Sequence, residues 1–206
     1  MPSPPDLSAL AARTQEVYER HGHRYDAERG KHLFEQPWLS RFASYLPPQA
    51  AILDVGCGAG EPIARYFLQN GHQLTGIDFA SSMIELARQR FPASQWQVAD
   101  MRSFDLGQQF HGLIAWHSFF HLMPAEQPYT LARFAAHLHP GGAMLLTVGP
   151  AAGEVVGQVA DEAVYHSSLS LDAYRQVLAS LGMRVLSFVA EDPQCGDASV
   201  LLAQKR

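Results

Sequence analysis

At 206 residues, 47% of them hydrophobic and 17% charged, the chain carries enough apolar side chain for one sizeable core and reads as one globular domain. Its formal net charge of −5, with no basic cluster longer than "ARQR", argues against a broad phosphate-binding face and so against nucleic acid as a partner. No apolar run approaches the roughly 20 residues of a membrane-spanning helix, "MPSPPDLSAL" lacks the basic start and apolar core of a signal peptide, and Cys57 and Cys195 lack CxxC or CxxH spacing. A cytoplasmic chain with reduced thiols, no metal site and no membrane partner is expected.

The amino-terminal stretch from Asp6 to Tyr45 reads as two helices broken around His21 to Tyr25. Five short, β-rich runs follow: "AAILDV" (Ala50 to Val55), "HQLTGID" (His72 to Asp78), "SQWQVAD" (Ser94 to Asp100), "FHGLIAWHS" (Phe110 to Ser118) and "GAMLLTVG" (Gly142 to Gly149). Segments of helical spacing lie between most of them, carried by Ile63, Phe67 and Leu68, by Met83, Ile84 and Ala87, and by Leu131, Phe134, Ala135 and Leu138. Ser82 with Glu85 reads as a capping box, "FP" at Phe91 and Pro92 as a helix stop, and "HPGG" (His139 to Gly142) as the turn into the fifth strand. After a helix closed by Gly182, "MRVLSFVAE" and "ASVLLAQ" read as two antiparallel strands joined by "DPQCGD". The expected fold is α/β: a doubly wound, Rossmann-like, seven-stranded and mostly parallel sheet with a reversed last strand, helices on both faces and a helical head.

"ILDVGCGAGEP" places Gly56, Gly58 and Gly60 between the first strand and the first crossover helix, at the carboxyl edge of the sheet where open α/β folds bind ligands. Bare backbone there lets a ligand lie against the chain. A dinucleotide fingerprint needs a third glycine where Glu61 stands, and a Walker loop needs G-K-[ST], which is absent. Asp78 ends the second strand about 20 residues after the loop, where a carboxylate can accept from two ribose hydroxyls. The ligand reads as a nucleoside.

"LDVGCGAG", "LTGIDFASSMIELAR", "WQVADMRSFDL", "FHGLIAWHSFFHL" and "LHPGGAMLLTVG", in this order, resemble the motifs of class I S-adenosylmethionine-dependent methyltransferases over Ala50 to Gly149, and "VLLAQKR" resembles the end of that fold's reversed hairpin. The resemblance implies S-adenosylmethionine as cofactor, with S-adenosylhomocysteine as product. It places Asp54, Gly56, Cys57, Gly58 and Gly60 around the methionine part and ribose, and Asp78 on the ribose hydroxyls. It further implies Phe79 and Met83 over the adenine, Asp100 accepting from the exocyclic amine, Met101 N–H at a ring nitrogen, and Trp116 and Ser118 near the sulfonium. Met83 reads equally well as core, and Cys57 reads as a small filler whose neighbours, not its thiol, give the motif meaning.

The resemblance also divides the domain into a head or lid (1–48) with Tyr18, Tyr25, Arg29 and Trp38 as lid contacts, a cofactor-binding core (50–149) and an acceptor-side connection with the final helix and hairpin (150–206). Where the nucleophile needs a base, His117, His121, Tyr165 and His166 are the candidates. The remaining histidines, such as His72, His111, His137 and His139, fall at turns or helix ends and read as solvated. The chain has "WHSF" where exocyclic-amine nucleic-acid methyltransferases carry [DN]-P-P-[FYW], so a small-molecule acceptor is expected. A protein acceptor and a non-catalytic module that only binds S-adenosylmethionine are the alternatives.

Overall fold

The computed structural model of the chain describes residues 6–206. The opening five residues, part of the expected head and of the stretch read for a signal peptide, lie outside the described residues. In chain order the elements are α1 (Leu7–Glu28), α2 (Gln36–Ala43), β1 (Ala51–Val55), α3 (Ile63–Gln69), β2 (Gln73–Asp78), α4 (Ser81–Arg90), β3 (Gln95–Val98), β4 (Phe110–Ala115), α5 (Gln127–Ala136), β5 (Leu138–Val148), β6 (Gly153–Val159), β7 (Glu162–Ser168), α6 (Leu171–Ser180), β8 (Met183–Asp192) and β9 (Ala198–Lys205).

Seven strands form one sheet in the order β3-β2-β1-β4-β5-β9-β8. β1 to β5 pair in parallel, while β9 runs antiparallel to both β5 and β8, so it alone is reversed. Alternate strand residues point to opposite faces and both sets are apolar. Ile52, Ile114 and Leu145 pack with Phe42, Phe67 and Ile84 on one face. Leu53, Leu113 and Leu146 pack with Phe119, Phe134 and Tyr174 on the other. Helices cover both faces, as that pattern requires.

Several local expectations are corrected. α1 is one unbroken helix through His21 to Tyr25, capped by the Asp6 side chain, and the chain breaks instead between α1 and α2. Gly22, which reads as a breaker, is buried where a Cβ would lie 2.8 Å from Ser82 Oγ, so its bareness serves the close approach of α1 to α4. The capping box at Ser82 and Glu85 does not form: Ala80 holds the N-cap position, and Glu19 of α1 reaches across to accept from Ser81 N–H at 2.7 Å and from the Ser81 hydroxyl. "HPGG" lies within β5, whose pairing with β4 skips there from Phe110–Leu138 to Gly112–Ala143. β4 stops at Ala115, which frees Trp116 to Ser118 from the ladder.

His137 is buried rather than solvated: its Nε2 accepts from Leu106 N–H at 3.2 Å. His72 and His111 present Nδ1 to the N–H groups of Ala50 and Ala51, at 3.2 and 3.1 Å, where β1 begins. The connection after β5 is a separate two-stranded antiparallel hairpin, β6–β7, which the sequence reading left without structure. It packs on α1 through Val17, Val159 and Val164. Among the described residues, no helix is long and apolar enough to cross a membrane.

Candidate active site

The chain after β1 turns back over the sheet edge because Gly56 and Cys57 both donate their N–H groups to Ile77 O, at 2.8 and 3.0 Å. Gly56 adopts φ +70°, and a Cβ on it would fall 2.2 Å from Ser118 Cβ, so any side chain would push apart the β1 and β4 loops. Ser118 closes that contact by donating to Val55 O at 2.7 Å. Gly58, at φ +52°, has nothing within 4 Å of its missing Cβ and opens onto a cavity.

The cavity holds about 1120 Å³ of empty space, counting the solvent at its open mouth. Gly56, Gly58, Asp78, Phe79, Met83, Asp100, Met101, Trp116, His117, Ser118, His121 and Tyr25 all border it. Asp54, Cys57 and Gly60 stand behind this wall, Cys57 in the core with a thiol pushed up by burial and by the Asp54 and Asp78 carboxylates. Cys57 and Cys195 are free and buried.

Asp78 accepts from Gly58 N–H at Oδ2 and from Ala80 N–H at Oδ1, both at 2.9 Å, which leaves one lone pair on each oxygen. Burial raises its carboxyl to about 6 against those two bonds. Asp54 is raised to about 7, by burial against the Arg29 charge and with the Asp78 charge. Asp100 is gripped by its neighbour: Arg102 donates from Nε at 3.0 Å and from Nη2 at 2.6 Å, and a third nitrogen meets Glu126 at 3.0 Å. The Arg102 side chain and N–H hold the Asp100 carboxyl below the usual range despite burial.

The roof is α1. Ser8, Ala11, Ala12, Gln15, Tyr18, Tyr25 and Arg29 recur at helical spacing along its lower face and border the cavity. Of these, Tyr18, Tyr25 and Arg29 are lid contacts expected from the sequence; the small residues at i, i+3 and i+4, followed by Gln15 at i+7, are the legible sign of the rest. Gln15 donates to Phe79 O at 3.0 Å, and Arg90 of α4 clasps Asp26 with two bonds of 2.6 and 2.5 Å. The hairpin tip adds Glu162, which accepts from Arg20 at 2.6 Å and Arg13 at 3.3 Å and meets His21 at 2.7 Å, and Asp161, which meets Arg24 at 2.6 Å.

At the end of β4, His117 takes a left-handed conformation, φ +52°, and donates its N–H to Thr147 Oγ1 at 2.6 Å. His121 sits in the turn Phe119–His121, with Nδ1 at 2.9 Å from Tyr165 O and Nε2 at 3.0 Å from the Tyr18 hydroxyl. A carbonyl only accepts, so Nδ1 carries the proton and Nε2 accepts from Tyr18. Burial, with the charge of His166, lowers His121 to about 3; burial, Arg29 and His166 lower His117 to about 4. Burial pushes the Tyr18 phenol up.

Three expected contacts lie elsewhere. The Tyr165 hydroxyl points away to Glu154, and only its carbonyl serves the site, through His121. His166 packs edge-on against Phe120 and His121 behind the wall, with ring centroids 4.6 and 4.9 Å apart. Trp38, a buried residue of α2, donates to Asp192 at 2.8 Å and is no part of the roof. Among the described residues, no group of His, Cys, Asp or Glu is arranged to hold a metal ion.

Residues 52–142 match the family described as a methyltransferase domain. The chain is 34% identical over 102 residues to the dTDP-3-amino-3,6-dideoxy-alpha-D-glucopyranose N,N-dimethyltransferase of Streptomyces fradiae, a match covering 48% of this chain and 40% of that protein. The aligned part thus spans less than half the length of that relative. Among solved structures, the SAM-bound amino pentose methyltransferase of calicheamicin biosynthesis from Micromonospora echinaspora superposes with a TM-score of 0.71 at 22% identity, over 92% of this chain and 97% of the other. The SAM-bound magnesium protoporphyrin IX methyltransferase of Synechocystis superposes with a TM-score of 0.72 at 13% identity over 100% of both chains. These two likenesses are likenesses of fold.

Proposed function

We propose that the chain is a class I S-adenosylmethionine-dependent methyltransferase that moves a methyl group from S-adenosylmethionine to an amine nitrogen of a small molecule in the cytoplasm, a reading supported by the methyltransferase-domain match over residues 52–142 and by the shared fold. The observation that carries this reading is the buried Asp78 carboxylate, whose two free lone pairs face a cavity floored by the bare backbone of Gly56 and Gly58. That donor set fits a ribose and an amino-acid tail. The relatives support a small acceptor: one is named for an aminosugar nucleotide and one neighbour for an amino pentose. The two buried free cysteines fit a reducing compartment.

When bound, the cofactor supplies a methyl on a positive sulfur with a neutral thioether as leaving group. The chain's own work is to align the nucleophile and exclude water. Asp78 fixes the ribose, Phe79 and Met83 close over the base, and Asp100 and the Met101 N–H meet its edge. Arg102 holds the Asp100 carboxylate in place from the solvent side.

At the other end, the Tyr18 hydroxyl donates a hydrogen bond to His121 Nε2 and so turns its lone pairs to the cavity, where they accept a hydrogen bond from the acceptor's N–H. His121, tied to Tyr165 O and held neutral by burial, positions Tyr18 rather than taking the proton itself. With His117 also held neutral at about 4, it can accept a hydrogen bond but is a weak base. A neutral amine needs no base before it attacks, whereas a hydroxyl does, and this favours nitrogen. Transfer of labelled methyl to a panel of primary amines, with matched alcohols and thiols beside them, tests the reading. Labelling of amines alone is expected; labelling of alcohols alone overturns the nitrogen assignment, and labelling of nothing in a protein that binds the cofactor points to a binding module.

A further inference from the structure

Two arginines border the cavity. Arg102 is committed to Asp100 and Glu126, but Arg29 makes a single side-chain contact, from Nη2 to Glu35 Oε1 at 3.4 Å, and has four other N–H donors to offer. Arg29 stands at the C-cap of α1, and its charge is felt by Asp54, His117 and Tyr18, which places it at the β1 and β4 end of the cavity, away from Asp100.

Glu35 is unusual for its setting. It is 1% exposed and occupies the N-cap position of α2, yet its side chain makes no capping bond to that helix. Its Oε2 is one of two buried side-chain atoms without a partner among the described residues; the other is Trp116 Nε1, on the cavity wall. Burial pushes the Glu35 carboxyl up, against its own backbone N–H and the charge and hydrogen bond of Arg29. A buried carboxylate that neither caps its own helix nor completes a network is costly unless it serves a neighbour. The neighbour it meets is the cavity arginine.

We propose that Glu35 is a positioning residue that holds the Arg29 guanidinium at the inner end of the cavity, where its free donors receive the carboxylate of the cofactor's amino-acid end. This rests on the cofactor reading above. A carboxylate on one edge of a guanidinium fixes its plane and leaves the opposite edge for a second carboxylate. Without Glu35 the side chain, 20% exposed, is free to turn to solvent.

Two probes separate this role from general support of the fold. S-adenosylhomocysteine carries the amino-acid end; 5′-methylthioadenosine lacks it and keeps the rest. In calorimetric titrations, E35A is expected to weaken S-adenosylhomocysteine about tenfold and leave 5′-methylthioadenosine unchanged, with E35Q in between because its amide oxygen still accepts. R29M is expected to lose at least as much as E35A, and R29M/E35A no more than R29M, since the two act as a unit. Equal weakening of both probes by E35A, full S-adenosylhomocysteine affinity in E35A, or losses that multiply in the double variant would each overturn the proposal. If E35A does not fold, E35Q carries the same comparison: a loss confined to S-adenosylhomocysteine supports the role, and none overturns it. Wild-type protein that binds neither probe would overturn the cofactor reading and this proposal with it.

Discussion

The floor and the roof of the cavity are built by different physics. The floor, from Gly56 to Asp78, is held by backbone hydrogen bonds at strand ends, by glycine conformations and by a carboxylate bonded to main-chain N–H groups. The roof, α1, contributes only Thr14, Val17 and Gly22 as buried residues and is held largely by side chains that reach across the sequence: Glu19 to Ser81, Asp26 to Arg90, Tyr18 to His121, and four basic residues to the hairpin tip. Backbone-built parts are rigid, while a helix held by part-exposed ion pairs opens at low cost. On the proposed function, the floor would set which ligand binds, and the roof how long it stays and what it meets.

The comparison breaks most sharply at Asp78. Asp78→Ala removes two charge-assisted hydrogen bonds to the ligand and orphans the N–H groups of Gly58 and Ala80, so S-adenosylhomocysteine affinity should fall about 100-fold or more, with a lowered melting temperature. A change confined to the acceptor-facing hydroxyl of the roof should leave that affinity alone. Tyr18→Phe keeps the ring but loses the oxygen aimed at the acceptor, so kcat should drop about 10- to 100-fold while the S-adenosylhomocysteine dissociation constant stays within about twofold.

Acidity sharpens the contrast. The ribose hydroxyls need the charged form of Asp78, and its carboxyl is raised to about 6 in the free protein. Cofactor affinity should be flat above pH 6 and fall about tenfold per unit below it. Folding has the opposite sign: with Asp78 at about 6 and Asp54 at about 7 against ordinary carboxylates near 3.8 in the unfolded chain, the stability these groups contribute is full below about pH 4, is lost progressively as pH rises from there through 6 to 7, and is flat above that. Titrations and melts from pH 4.5 to 8 in D78N, which should lose the dependence of binding, check both.

The smallest effect belongs to the hairpin tip. Glu162→Gln loosens the contacts to Arg13, Arg20 and His21, and should speed release of S-adenosylhomocysteine about two- to fivefold, with wild type approaching the variant at high salt.

The same division separates what could be read in the sequence from what could not. The five parallel strands, the reversed β9, the loop glycines and Asp78 all follow from local pattern: apolar runs of the right length, glycines at a strand end, an acid at the next. The roof resists such reading because its logic is long-range. Gly22 looks like a break until α4 is seen packed against it, and Ser82–Glu85 looks like a capping box because Glu19, 62 residues before Ser81, does not show as the partner. Tyr165 and His166 read as loop residues in the sequence, but the segment is a strand, and alternation sends the Tyr165 phenol to Glu154 and leaves its carbonyl to His121. Arg102 and Glu35 escaped notice because an ion pair and a missing helix cap leave no periodic trace.

The central claim is that the cavity under α1 is a site for an adenosyl ligand fixed by Asp78. Its most direct test is a calorimetric titration of the purified protein with S-adenosylhomocysteine, repeated with NAD and with D78A. One molecule bound per chain at micromolar or tighter affinity, no heat with NAD and no binding in D78A is the predicted result. Binding of NAD instead, or of S-adenosylhomocysteine with equal strength in D78A, would contradict it.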